Sequence, residues 1–168
     1  THPQSVNDSD DLFTLFGLVD SFVMTEFGLD GANNQGGLAV PYPAWGIDIT
    51  QTNGFTFPEY ENNPTPYGSA WFYPEIGDAV FGVGMVTPDV VGHEYAHGIL
   101  THQARADGYQ LTLYAGETGA LEESFADFFG EAVENAVVGS ADLVHGTNDP
   151  TETVWDDGIS GPIRNLHS

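Results

Sequence analysis

Hydrophobic positions along this chain fall into three stretches of helical spacing, with a long aperiodic stretch between the first and second. From Asp11 to Gly28, the residues Leu12, Phe13, Leu15, Phe16, Val19, Phe22 and Val23 recur every three or four positions. That pattern predicts one amphipathic helix, with Gly28 as its stop. From Leu29 to Gly84 the chain is rich in Gly, Pro and Asn. Short β-favouring pieces at Gly46 to Thr50, Ala70 to Tyr73 and Ala79 to Val83 predict irregular β structure and loops there. Pro88 opens a second helical pattern, with Thr87 at the cap position and Asp89 in the first turn. Its apolar positions are Val90, Val91, Ala96, Ile99 and Leu100, and the pattern runs to about His102. A loop from Ala106 to Thr118 leads to a third helix, from Gly119 to about Val138, carrying Leu121, Phe125, Phe128, Phe129 and Val133. Beyond Gly139 the chain is polar and rich in turn residues.

Composition narrows the class. At 168 residues and 40% hydrophobic content, with 11 Phe, 7 Tyr and 3 Trp, the chain suits one domain with one sizeable core. No internal repeat breaks it up. There are 25 Asp and Glu against Arg105 and Arg164, and the formal charge of -23 argues against a nucleic-acid partner. So many carboxylates repel one another unless cations screen them, which points to bound calcium or a salty medium. No apolar run approaches the ~20 residues that span a bilayer. A start at Thr1 is what removal of a leader leaves, and Asn7-Asp8-Ser9 fits the glycosylation acceptor pattern, so the expectation is a processed, exported chain. Without cysteine, any transition metal must be held by His and carboxylate.

The second helical pattern contains His93-Glu94-Tyr95-Ala96-His97, an HExxH motif in the helical setting it requires. At 3.6 residues per turn the two imidazoles project from nearly the same face and can share one zinc ion. Glu94 is one residue on, within reach of a water at that ion. A catalytic zinc needs a third protein ligand and an open position, and Glu117, Glu122 and Glu123 are the nearby carboxylates.

The stretch from Thr118 to Gly130 (TGALEESFADFFG) resembles the second active-site helix of the thermolysin family of zinc metallopeptidases. Further likeness runs through Ser69 to Phe72, Phe81 to Gly84, Pro88 to Gly92 and Gly158 to Arg164. The resemblance implies an α+β zincin lobe in which Glu123 completes the zinc site and Asp127 orients the His93 ring from behind. Glu122 is then left on the solvated face. It also implies Tyr114 as an oxyanion contact, Ala70 as substrate-binding backbone, and Arg164 as a partner for a peptide carbonyl. Calcium is implied at Asp89 and Glu134, with Asp156 as a third contributor.

On this reading residues 1–168 form one incomplete lobe. Residues 1–86 hold a helix and the β-rich part, 87–138 the metal-binding helices, and 139–168 a calcium and substrate segment. Three departures from the family pattern stand out. Ser69 replaces the usual asparagine, the connection from His97 to Glu123 is long, and the sequence stops at Ser168, before the helical lobe that supplies a distal histidine. The expected function is a secreted zinc-dependent endopeptidase acting on peptides or proteins, with Glu94 as general base. The expected partner is a C-terminal lobe fragment or further copies of the chain. The rival expectation is an extracellular structural or assembly protein that keeps the lobe for its shape.

Overall fold

The computed structural model describes residues 3–35, 47–48, 70–74, 78–81, 85–109 and 116–139. In chain order the elements are α1 (Pro3–Phe27), β1 (Ile47–Asp48), β2 (Ala70–Tyr73), β3 (Asp78–Phe81), α2 (Pro88–Ala106) and α3 (Gly116–Val138). The strands form a sheet in the order β1-β3-β2, with β1 parallel and β2 antiparallel to β3. Trp71 lies opposite Val80, and Phe72 opposite Ala79. This is the α+β arrangement expected from the sequence, with the three short β pieces close to their expected places.

Helix boundaries depart from the sequence expectation where apolar periodicity is silent. α1 begins at Pro3, eight residues before Asp11, because a polar segment led by proline can form helix without an apolar stripe; Asn7 therefore falls inside α1. The helix stops where expected: Gly28 adopts φ 68° and its N–H donates to the Met24 carbonyl at 3.0 Å. α2 runs a turn beyond His102, to Ala106, and α3 starts three residues early, at Gly116. Thr87 occupies the N-cap of α2 in extended geometry, but its hydroxyl donates to the Asp89 carboxylate instead of capping a backbone N–H.

Helix α2 is central, and every residue from Pro88 to Gly98 is buried. α1 contributes Leu12, Leu15, Phe16, Val19 and Val23 to the shared core, whereas Phe13, placed with them by spacing, points away and is 75% exposed. Phe16 meets Phe81 edge-on at 6.2 Å and Tyr95 at 5.9 Å, joining α1, the sheet and α2. Full burial of each such side chain contributes about 1.5–3 kcal/mol. The Tyr95 hydroxyl donates to Asp20 of α1. Burial raises the Tyr95 pKa, and the bond to Asp20 raises it further, so the phenol keeps its proton.

α3 closes on α2 at Gly130 and Val133 and on α1 through Phe129, which meets Phe22 and Phe27, while Leu121, Phe125 and Phe128 lie on the exposed side. Three of the five apolar side chains that mark α3 in the sequence thus lie outside the core. Polar Asp127, Glu131 and Glu134 take buried positions instead. The approach of the two helices depends on Gly92, where a Cβ would meet Gly130 Cα and Val133 Cβ at 3.0 Å. Among the described residues no helix is long and apolar enough to cross a membrane.

Candidate metal centre

The helical repeat puts His93 and His97 on one face of α2, and the close packing of α3 brings Glu123 and Asp127 opposite them. His93 and His97 are buried, and their Nε2 atoms face each other at 3.0 Å. One carboxylate oxygen of Glu123 lies 3.5 Å from Nε2 of His93, and the other lies 3.4 Å from Nε2 of His97. Among the described residues, these three side chains form the group whose ligand atoms all lie within 4.8 Å of one another.

The outer nitrogens determine what the inner ones can do. Nδ1 of His93 lies 2.9 Å from Asp127 Oδ1, and Nδ1 of His97 lies 3.3 Å from Glu122 Oε1. A carboxylate accepts but does not donate, so each Nδ1 carries the proton and each Nε2 presents a lone pair. Two lone pairs 3.0 Å apart, with a carboxylate beside both, repel unless a cation or a proton sits among them. In a tetrahedral zinc site with bonds of about 2.0–2.1 Å, neighbouring donor atoms lie about 3.3–3.4 Å apart. The two Glu123 distances, 3.5 and 3.4 Å, are close to that, the Nε2 pair at 3.0 Å is somewhat tighter, and the two-imidazole, one-carboxylate donor set suits zinc.

Electrostatics favour a cation as well. Burial alone works against a charged His93 ring, but Asp127, Glu123 and Glu94 outweigh it and raise its pKa to about 9. Glu94 is itself buried and contributes charge at His93. The Phe72 ring of β2 stacks on His97 with centroids 6.4 Å apart and planes 16° from parallel, which fixes the imidazole from its face.

No family model matches the chain. It is 35% identical over 86 residues to a zinc metalloproteinase of Renibacterium salmoninarum, a match covering 51% of this chain and 13% of that protein. It is 33% identical over 91 residues to a gelatinase of Enterococcus faecalis, covering 54% of this chain and 17% of the relative. With an extracellular elastase of Staphylococcus epidermidis it shares 29% identity over 109 residues, covering 65% of this chain and 19% of the relative. The solved precursor of protealysin, a metalloproteinase from Serratia proteamaculans, has the same fold with a TM-score of 0.56 at 23% identity, covering 86% of this chain and 40% of that one. The chain is thus similar to zinc metalloproteinases of the thermolysin-like kind, in sequence over about half its length and in fold over most of it. The matched region spans less than a fifth of each of these curated relatives.

Within this thermolysin-like lobe the structure assembles His93, Glu94, His97, Glu123 and Asp127. Ala70 lies on β2, two residues from the Phe72 that stacks on His97. Asp89 and Glu134 are both buried, but among the described residues they do not come together with a third acid as a ligand group. Tyr114, Arg164, Asp156 and Ser69 lie outside the described residues. Sequence reasoning missed two side chains. Glu122 was assigned to the solvated face, yet it is 14% exposed and meets His97. Phe72 was read only as a strand residue. The signal for Glu122 was its helical register, since a residue adjacent to a ligand sits only about 100° round the helix.

Proposed function

We propose that this chain carries the metal centre of a secreted, zinc-dependent endopeptidase. The observation behind this reading is the pair of His93 and His97 Nε2 atoms facing each other at 3.0 Å beside the Glu123 carboxylate, with each ring backed by a carboxylate at Nδ1. His93, His97 and Glu123 hold the ion, and Asp127 orients His93. When bound there, zinc supplies Lewis acidity that polarises a carbonyl and lowers the pKa of coordinated water toward ~7. Glu94 takes a proton from the attacking water and later hands it to the departing amine nitrogen, serving as base and then acid. Tyr114 donates to the oxyanion, Ala70 offers backbone to the substrate, and Arg164 holds a peptide carbonyl.

The buried Glu94, one residue from His93 and adding its charge there, supports hydrolysis over a purely structural use of the lobe. Export is supported by the name of the extracellular elastase relative. A further lobe as partner is supported by the protealysin precursor, of which the match covers 40%. Calcium is proposed at Asp89 and Glu134 with Asp156, on the strength of buried carboxylates that suit a hard cation. The test is hydrolysis of an internally quenched peptide before chelation, after it, and after zinc is returned. Activity should vanish and come back; activity indifferent to the chelator would refute the reading.

A further inference from the structure

We propose that Glu122 is a positioning residue for the metal centre, acting through His97. The inference rests on the zinc reading above. Three observations lead to it.

The first is distance: Glu122 Oε1 lies 3.3 Å from Nδ1 of His97, on the side of the ring away from His93. The second is burial. The Glu122 side chain is 14% exposed, whereas Leu121 just before it is 66% exposed and Phe125, three residues on, is 44% exposed. A long charged side chain gives up rotamer freedom to hold such a position, so a partner is required to keep it there. The third is the division of labour along α3. Glu122 and Glu123 are about 100° apart on the helix. They therefore reach the two nitrogens of the same ring, Glu123 at Nε2 (3.4 Å) and Glu122 at Nδ1 (3.3 Å).

This arrangement removes Glu122 from the list of metal ligands, because its partner nitrogen points away from the Nε2 pair. By accepting the Nδ1 proton of His97 it holds the tautomer whose Nε2 lone pair faces the ion, and it makes that imidazole a stronger donor. Phe72 fixes the plane of the same ring by stacking, so His97 is held on an edge and a face at once. With Asp127 at His93, both metal-facing imidazoles are backed by carboxylates from one helix, two residues that flank the ligand Glu123 in sequence.

The test compares wild type, Glu122→Ala and Glu122→Gln. Each is titrated with zinc in competition with a chromophoric chelator, with the thermal midpoint of the metal-free protein and the His97 tautomer by nitrogen NMR measured alongside. Glu122→Ala should keep one zinc per chain but bind it about 10–100-fold more weakly and lose the Nδ1–H tautomer. Glu122→Gln, which retains an acceptor oxygen, should restore the tautomer and much of the affinity and keep the metal-free midpoint near that of wild type, while Glu122→Ala, which leaves the His97 N–H without its acceptor, should lower that midpoint. Wild-type affinity in Glu122→Ala would overturn the proposal while leaving the zinc site intact. Equal losses in both variants, together with a midpoint lowered in both, would make Glu122 a general stability residue and overturn it as well. A wild-type protein that binds no zinc would overturn the metal site itself.

Discussion

Asp127 Oδ1 lies 2.9 Å from Nδ1 of His93, and this one contact across the α2–α3 boundary sets which nitrogen of His93 faces Glu123. Both partners are almost wholly buried, so neither can turn to water if the other is removed. Asp127→Ala should therefore leave a buried N–H unpaired, at a cost of about 1–3 kcal/mol. It should also weaken zinc binding about 10–100-fold. Thermal unfolding of the metal-free protein and zinc competition titration measure the two effects separately. Unchanged zinc affinity would show that His93 is oriented by something else.

The helix contact at Gly92 gives a steric prediction. A Cβ there already meets the Gly130 backbone and Val133 at 3.0 Å, and the two further methyls of valine have nowhere to go without parting the helices. Gly92→Val should destabilise the fold by about 1–3 kcal/mol. It should weaken zinc binding too, because Glu123 moves away with α3. A Gly92→Val protein with wild-type melting temperature and zinc affinity would contradict the close approach.

The Asp20–Tyr95 pair gives a pH dependence. Burial raises the Asp20 pKa above its ordinary 3.8; the Tyr95 hydroxyl partly opposes this, and the charge of Asp30 adds to it. The folded protein thus holds this proton more tightly than the unfolded chain. The stability it contributes is fully present below the unfolded value and lost as pH rises through the folded one. Asp20→Asn keeps an oxygen for Tyr95 and has no proton to lose. The stability of wild type relative to Asp20→Asn should therefore fall as pH rises above the ordinary value of 3.8. A difference that stays flat, or grows, with rising pH would contradict the assignment.

Legibility in the sequence followed locality. His93 and His97 are readable from spacing, because they lie one helical turn apart on a helical pattern, whereas Glu123 and Asp127 follow from the family resemblance, spacing alone leaving Glu117, Glu122 and Glu123 open as the third ligand. The strand at Ala70 to Tyr73 and the stop at Gly28 were readable for the same local reasons. What escaped notice depends on which surface each helix presents to its neighbours. Phe13, Leu121 and Phe128 fit an apolar stripe but face outward, while Glu122 and Glu131 face inward. The Tyr95–Asp20 bond joins residues 75 positions apart, and the Phe72–His97 stack joins a strand to a helix. Neither leaves a periodic trace. The eight extra residues at the start of α1 contain no apolar repeat from which a helix could be inferred.

The most direct test of the central claim is to measure zinc content and peptide turnover together in Glu94→Gln. Glu94 is assigned proton transfer and not metal binding, so the variant should hold one zinc per chain as tightly as wild type. Its hydrolysis of a quenched peptide should fall by about 10²–10⁴-fold. A variant that keeps both its zinc and its activity would contradict the role of Glu94 in the proposed peptidase mechanism.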